Sequence, residues 1–189
     1  MSSHHIVREK QEPALLVLEL DNFPYEQLGQ LLEWSPTVIT TSETAEKLNS
    51  YGIKIDWIIT YAENETLQSD IKLIYAGKQT ITEAAIKHLI SLNYPAVNII
   101  TDELNLKDYE VFVDKIGLVI FHNGKKIYPV IPGFNKWKAA GEVIEIFGQG
   151  NSLYFTGLEV TGDQQYKTTH DGFFSLHFDE PFLFIAEEI

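Results

Sequence analysis

Gly52-Ile53-Lys54-Ile55-Asp56-Trp57-Ile58-Ile59-Thr60-Tyr61-Ala62-Glu63-Asn64 is the stretch on which the reading of this chain turns. Gly52 stops the helical pattern before it. Ile55 to Ile59 is mostly apolar and rich in β-branched residues, which predicts a buried strand. The strand runs straight into a polar tip, Thr60 to Glu65. In open α/β sheets, ligands bind beyond the carboxyl ends of strands. This tip carries one acid close to the strand end, Glu63, and no glycine.

The same alternation extends in both directions. Toward the start, Ala14 to Leu20 is a short apolar run and predicts a buried strand. Asp21-Asn22-Phe23-Pro24 is a turn, and Tyr25, Leu28, Leu31 and Leu32 fall at helical spacing. Pro36 ends that helix, Thr37 to Thr40 is a second strand, and Ser42 is placed to cap a helix through Ala45 and Leu48. Toward the end, Ile71 to Tyr75 is a strand, and Thr80 or Thr82 opens a helix that Asn93-Tyr94-Pro95 breaks. Ala96 to Ile100 is a strand ending in Thr101-Asp102-Glu103, and Tyr109 to Lys115 is a short helix. Strands alternating with helices predict a largely parallel sheet covered on both faces.

After Gly117 the helical period disappears. His122-Asn123-Gly124 is a hairpin turn between Leu118 to Phe121 and Lys125 to Val130. Pro132 to Trp137 reads as a loop, and short β runs follow at Val143, Ser152, Gly157, Phe173 and Phe182. The expected fold is an α/β N-terminal domain with a parallel-rich sheet and flanking helices, followed by an all-β C-terminal sandwich or barrel. Residues 1–12 are expected to be a flexible start, 13–116 the α/β domain and 117–189 the all-β domain.

Composition narrows the function. The net charge is -13, and Arg8 is the only arginine. Nucleic-acid binding needs clustered Lys and Arg to displace counterions, so a nucleic-acid partner is not expected. A bound nucleotide would have to rely on lysines, backbone amides or a metal. There is no cysteine, hence no disulfide framework and no thiolate metal site. No apolar run is long enough to span a bilayer, and no signal core precedes residue 12, so no membrane is expected and a cytoplasmic location is.

The order of the two halves, with several short motifs, resembles thiamin pyrophosphokinase, a family that moves a pyrophosphoryl group from ATP to thiamin. Gly52 to Ile59 is similar to the family's glycine-isoleucine-x-proline-aspartate run into a strand. Thr80 to Leu89 sits where the family opens a helix with threonine and aspartate. Pro132-Gly133, Gly141 to Ile146 and Thr156 to Val160 resemble its proline-glycine loop and two β motifs. The resemblance implies a small-molecule ligand, thiamin-like or a nucleotide, Mg2+ and ATP as cofactors if the chain is active, and a homodimer joined through the β domains.

The departures fall on the family's catalytic positions. Tyr61 stands for one metal-holding acid and Glu63 for another. Ile81 stands for the acid that follows the threonine, and Leu106 for an arginine, while Asp108 matches an acid. The candidate metal or nucleotide residues are therefore Glu63, Asp102 and Asp108, with Glu63 and Asp102 as metal ligands. All follow strands of the predicted sheet, and solvated loop acids are the plain alternative. A candidate ligand pocket takes Tyr61, Thr80, Thr169, His170 and Asp171. His170-Asp171 reads as an acid/base pair or as a turn. His88 is expected at the surface. Trp57, Trp137, Phe173 and Phe174 either line a ligand slot or pack in a core. The function expected is that of a thiamin pyrophosphokinase-like protein with lost or strongly reduced catalysis and a residual binding or interaction role. The alternative is an active enzyme with a rearranged acidic metal site.

Overall fold

The structure is a computed structural model that describes residues 12–62, 71–148 and 152–189. It divides into two compact units, Met1–Asn123 and Gly124–Ile189.

The N-terminal unit contains β1 (Ala14–Val17), α1 (Tyr25–Leu32), β2 (Val38–Thr41), α2 (Ser42–Ser50), β3 (Trp57–Thr60), β4 (Lys72–Tyr75), α3 (Ile81–Ser91), β5 (Ala96–Ile100), α4 (Lys107–Glu110) and β6 (Gly117–His122). The six strands lie in the order β6-β5-β1-β2-β3-β4, and every pair is parallel. The chain moves outward from β1 through β2 and β3 to β4. After α3 it returns to the other side of β1 and lays down β5 and β6. The strand order therefore reverses between β1 and β5. In such sheets that reversal is where a crevice opens at the carboxyl ends.

Alternation fixes the two faces of the sheet. Leu15, Val17, Val38, Ile58 and Ile100 pack with Leu28 of α1 and Leu48 of α2. Leu16, Ile39, Ile59 and Ile99 point the other way and are equally buried. A side chain such as Leu48, at 0% exposure, contributes about 1.5–3 kcal/mol through burial. The cap of α2 corrects the expectation for Ser42. The N-cap is Thr41, still in extended conformation, and its side chain accepts from Thr44 N at 3.1 Å. Strand β2 runs directly into the helix, so the capping hydroxyl comes from the last strand residue. Helix α4 is also shifted: it spans Lys107–Glu110, and hydrogen-bonded turns carry the chain on to Ile116.

The C-terminal unit contains β7 (Lys125–Val130), β8 (Phe134–Lys138), β9 (Val143–Phe147), β10 (Tyr154–Thr156), β11 (Leu158–Gly162), β12 (Gln165–Thr168), β13 (Gly172–His177) and β14 (Leu183–Glu188). An antiparallel sheet runs β11-β12-β9-β14-β7, and a three-stranded one runs β10-β13-β8. Ile144, Ile146, Leu183 and Ile185 of the first sheet share one core with Phe174 and Leu176 of the second. The unit is thus a two-layer sandwich.

One reading of this half is corrected. The stretch expected as a loop at 132–137 forms β8 from Phe134 onward. Strand β12 has no apolar run of its own and is held by its partners β11 and β9. The first unit runs to Asn123 and so includes β6, which pairs in parallel with β5. Among the described residues no helix is long and apolar enough to cross a membrane.

Candidate functional site

The carboxyl ends of β1 and β5 meet at the point where the strand order reverses. Glu19 and Asp21 follow β1, and Thr101 and Asp102 follow β5. Glu19 Oε2 accepts from Asp102 N at 2.9 Å. Thr101 Oγ1 lies 2.8 Å from the same Glu19 oxygen and 2.7 Å from the Glu103 carbonyl. Its single proton serves one of these acceptors at a time. Asp102 in turn accepts from two successive backbone amides, Asp21 N at 2.7 Å and Asn22 N at 3.2 Å, one on each carboxylate oxygen. Two carboxylates thus tie the ends of β1 and β5 to each other in a reciprocal clasp.

Lys47 reaches this turn from α2. Its ammonium donates to the Leu20 carbonyl at 2.9 Å and to Asp21 Oδ1 at 2.8 Å. The Asp21 hydrogen bond is the main reason its pKa lies above the ordinary lysine value. Desolvation opposes it, and the charges of Asp21, Tyr51 and Asp102 add to it. His122, at the end of β6, has Nδ1 3.2 Å from the Thr101 carbonyl and Nε2 2.9 Å from Asn123 Nδ2. A carbonyl only accepts, so the neutral ring carries its proton on Nδ1 and takes the Asn123 amide on Nε2. Tyr109 of α4 is 2% exposed. Burial pushes its pKa well up, the charges of Asp108 and Glu19 push the same way, and a hydrogen bond with Thr82 pulls back.

The candidate residues named from the sequence take the following places within each unit. Glu63 lies outside the described residues. Tyr61, just past β3, is 55% exposed. The Thr80 hydroxyl accepts from Glu83 N at 3.1 Å and so serves as the N-cap of α3. Asp102 belongs to the clasp. Asp108 accepts from Asn105 Nδ2 at 3.1 Å at the start of α4. In the C-terminal unit, Thr169 Oγ1 and His170 Nδ1 are 2.8 Å apart, while Asp171 accepts from Ala140 N at 2.7 Å. His170 and Asp171 therefore have different partners, and Asp171 pins the 139–141 turn.

The aromatic residues differ in their surroundings. Phe174 is a core residue at 1% exposure, and Trp137 and Phe173 are exposed neighbours across β8 and β13. Trp57 stacks edge-on with His88 at 4.5 Å and carries the Lys72 ammonium 5.0 Å from its ring centre. His88 corrects the surface expectation: it is half-buried, and its Nε2 is buried with no hydrogen-bond partner. Residues that sequence reasoning passed over are Glu19, Asp21, Lys47 and Thr101. The available signal was Glu19 itself, a charge interrupting an apolar run two residues before its turn.

The sheet order, the reversal beside β1 and the all-β unit that follows can be compared with solved structures. By sequence, the chain matches no protein-family model and no curated protein. By structure, it is similar to a protein from Lactobacillus plantarum, with a TM-score of 0.71 and 10% identity over 94% of this chain and 99% of that one. It is also similar to thiamine pyrophosphokinase from Bacillus subtilis, at TM-score 0.66 and 12% identity, covering 94% of this chain and 99% of that one. Yeast thiamin pyrophosphokinase matches at TM-score 0.69 and 9% identity over 97% of this chain and 88% of that one. The chain has the thiamin pyrophosphokinase fold. Identities near a tenth carry the fold alone. The fold resemblance stated from short motifs is met at that level.

A thiamin pyrophosphokinase fold raises the question of magnesium. Mg2+ asks for near-octahedral oxygens, commonly one or two carboxylates with water and phosphate oxygens. Among the described residues no three His, Cys, Asp or Glu side chains converge in a way that could hold a metal ion. Both Asp102 oxygens already accept amides, and Asp108 is engaged with Asn105. Glu63, the other metal ligand expected from the sequence, lies outside the described residues.

Proposed function

We propose that this protein binds a small molecule at the reversal point of its N-terminal sheet and does not carry out ordinary pyrophosphoryl transfer from ATP to thiamin. The observation that carries this reading is the clasp. Glu19 and Asp102 spend their charges on backbone amides, and Lys47 spends its own on the Leu20 carbonyl and Asp21. Phosphoryl-type transfer depends on positioned charges aimed at the reacting phosphate. Groups satisfied internally must be freed before they meet a ligand. Tyr61, Ile81 and Leu106 stand where the family resemblance puts two acids and an arginine, which supports the same conclusion. Losing one transition-state contact of this kind costs about 3 kcal/mol, or roughly a hundredfold or more in rate.

The test is a direct assay. The purified protein is incubated with thiamin, ATP and Mg2+, and thiamin diphosphate is measured. No product above the protein-free control is the expected result. Product at an ordinary enzyme's rate, abolished by Glu63→Gln, would replace this reading with that of an active enzyme using Glu63, Asp102 and Asp108.

We also propose a homodimer formed through the C-terminal unit. The outer face of its three-stranded sheet presents Trp137, Phe173, Tyr154 and His177, with no carboxylate. On a chain of net charge -13 this is a face that two copies can bring together without facing acids.

A further inference from the structure

We propose that the outer face of the three-stranded sheet β10-β13-β8 is a binding site for a neutral oligosaccharide. The face belongs to the C-terminal unit, so this inference goes beyond the small-molecule reading of the reversal point. It shares a surface with the proposed dimer, and a bound sugar chain and a second copy exclude each other there.

Strand register sets out the face in three rows. At one end Trp137 stands opposite Phe173. Asn135, Ser175 and Thr156 run across the middle. At the other end Tyr154 stands opposite His177. Alternation turns these residues outward, while Phe155, Phe174 and Leu176 belong to the core side. Trp137 is 56% exposed, Phe173 65% and Tyr154 73%. From Phe173 to His177 along β13 is about 13 Å, at about 3.4 Å per residue.

Three features name the ligand. First, the aromatic rings stand at the two ends of the face rather than in one cluster. A pyranose ring carries a face of C–H bonds that stacks on an aromatic ring, and platforms this far apart suit the two ends of a short sugar chain. Second, the row between them offers two hydroxyls and a carboxamide, which donate and accept as sugar hydroxyls do. Thr156 Oγ1 and Ser175 Oγ lie 2.7 Å apart and orient each other at the surface. Protein interfaces are built the other way, with an apolar centre inside a polar rim, so the sugar chain is the better fit of the two occupants. Third, no carboxylate, lysine or arginine stands in the three rows, on a chain of net charge -13. An uncharged ligand meets no repulsion there and strips no charge of water, while an anionic one finds no cation.

The test titrates the protein with cellohexaose and maltohexaose, both neutral, and with hexagalacturonate as a charged counterpart. Amide NMR shifts locate binding, and sedimentation follows assembly. At least one neutral sugar should shift residues 135–137, 154–156 and 173–177, and hexagalacturonate should not. Trp137→Ala and Tyr154→Ala should each weaken binding by about tenfold or more, as the loss of one stacking ring does. Both side chains are exposed, so the fold tolerates their removal. Trp34→Ala removes an exposed tryptophan of the N-terminal unit and should leave binding unchanged. The neutral sugar should also lower the dimer fraction. A chain that sediments as a monomer yet shows these shifts loses the dimer reading and keeps the sugar site. Shifts on a dimer that stays intact keep the site and move the dimer contact elsewhere. The proposal is overturned if neither neutral sugar shifts this face at millimolar concentration, and a dimer that ignores both leaves the second copy as its occupant. It is equally overturned if hexagalacturonate binds as tightly, or if Trp137→Ala and Tyr154→Ala bind as wild type does.

Discussion

Glu187→Gln should cost the C-terminal unit a large part of its margin of stability. Glu187 lies on β14 with its side chain 6% exposed. Its carboxylate accepts from Lys136 at 2.7 and 2.8 Å and from the Tyr128 hydroxyl, and pairs with Lys138 at 3.0 Å. Both lysines stand on β8, so this cluster joins the two layers of the sandwich. Removing one partner of a buried ion pair costs about 3–5 kcal/mol, because the other charge is left behind. Two features reduce that figure here. Lys136 is 33% exposed and therefore partly solvated, and Lys138 keeps Glu142 at 3.2 Å. A loss of about 2–3 kcal/mol is expected, which for a chain of this length is roughly 4–12 °C in Tm.

The pH dependence sharpens this test. Burial alone would raise the Glu187 pKa, but the hydrogen bonds from Lys136, Tyr128 and Lys138 outweigh it and hold it below the ordinary value of 4.5. With the folded pKa below the unfolded one, the stabilisation is complete above 4.5 and is lost as pH falls through the folded value. Thermal unfolding followed by circular dichroism should show the full gap between wild type and Glu187→Gln at pH 7. The gap should narrow once the pH drops below 4.5. A Tm change within about 1 °C at pH 7, or a gap that widens on acidification, would refute the reasoning.

The remaining predictions concern His88 and Trp137. Burial holds the His88 pKa below 6.5, so its contribution to stability is full above 6.5 and lost as pH falls through the folded value. His88→Phe keeps an aromatic edge on Trp57 without a titrating nitrogen. Its urea midpoint should gain on wild type as the pH goes from about 7 to 5, and a difference independent of pH would count against this account. Trp137 is 56% exposed beside Phe173 at 65%. Trp137→Glu places an acid on the neutral face and should weaken the proposed dimer by about tenfold or more in sedimentation, as losing an interface anchor does. Unchanged association would move the interface elsewhere.

Much of the fold was legible in the chain. The strands expected at residues 14, 37, 55, 71 and 96 all form, because each is a short run rich in apolar residues. Strand β8 was not legible, and the reason is specific. Its inward positions are Phe134, Lys136 and Lys138, so two charges hide the alternation that marks a strand. They are tolerated there because Glu187, about fifty residues later, neutralises them. Strand β12 was hidden for a related reason: Gln165-Tyr166-Lys167-Thr168 has no apolar period, and pairing to β9 and β11 makes it a strand.

The candidate site divides along the same line. Sequence alone determined the alternation of strands and helices, the switch to an all-β half, the acidic charge and the presence of Asp102 at a strand end. These follow from local patterns, in which each residue's contribution depends on near neighbours. Sequence could not say that β5 returns to lie beside β1, since strand order depends on which faces and edges bury the most apolar surface together. That one choice brings Asp102 to the amides of Asp21 and Asn22 and Glu19 to Thr101, across some eighty residues of chain. The charges were written in the sequence; tertiary packing decided that they would face one another.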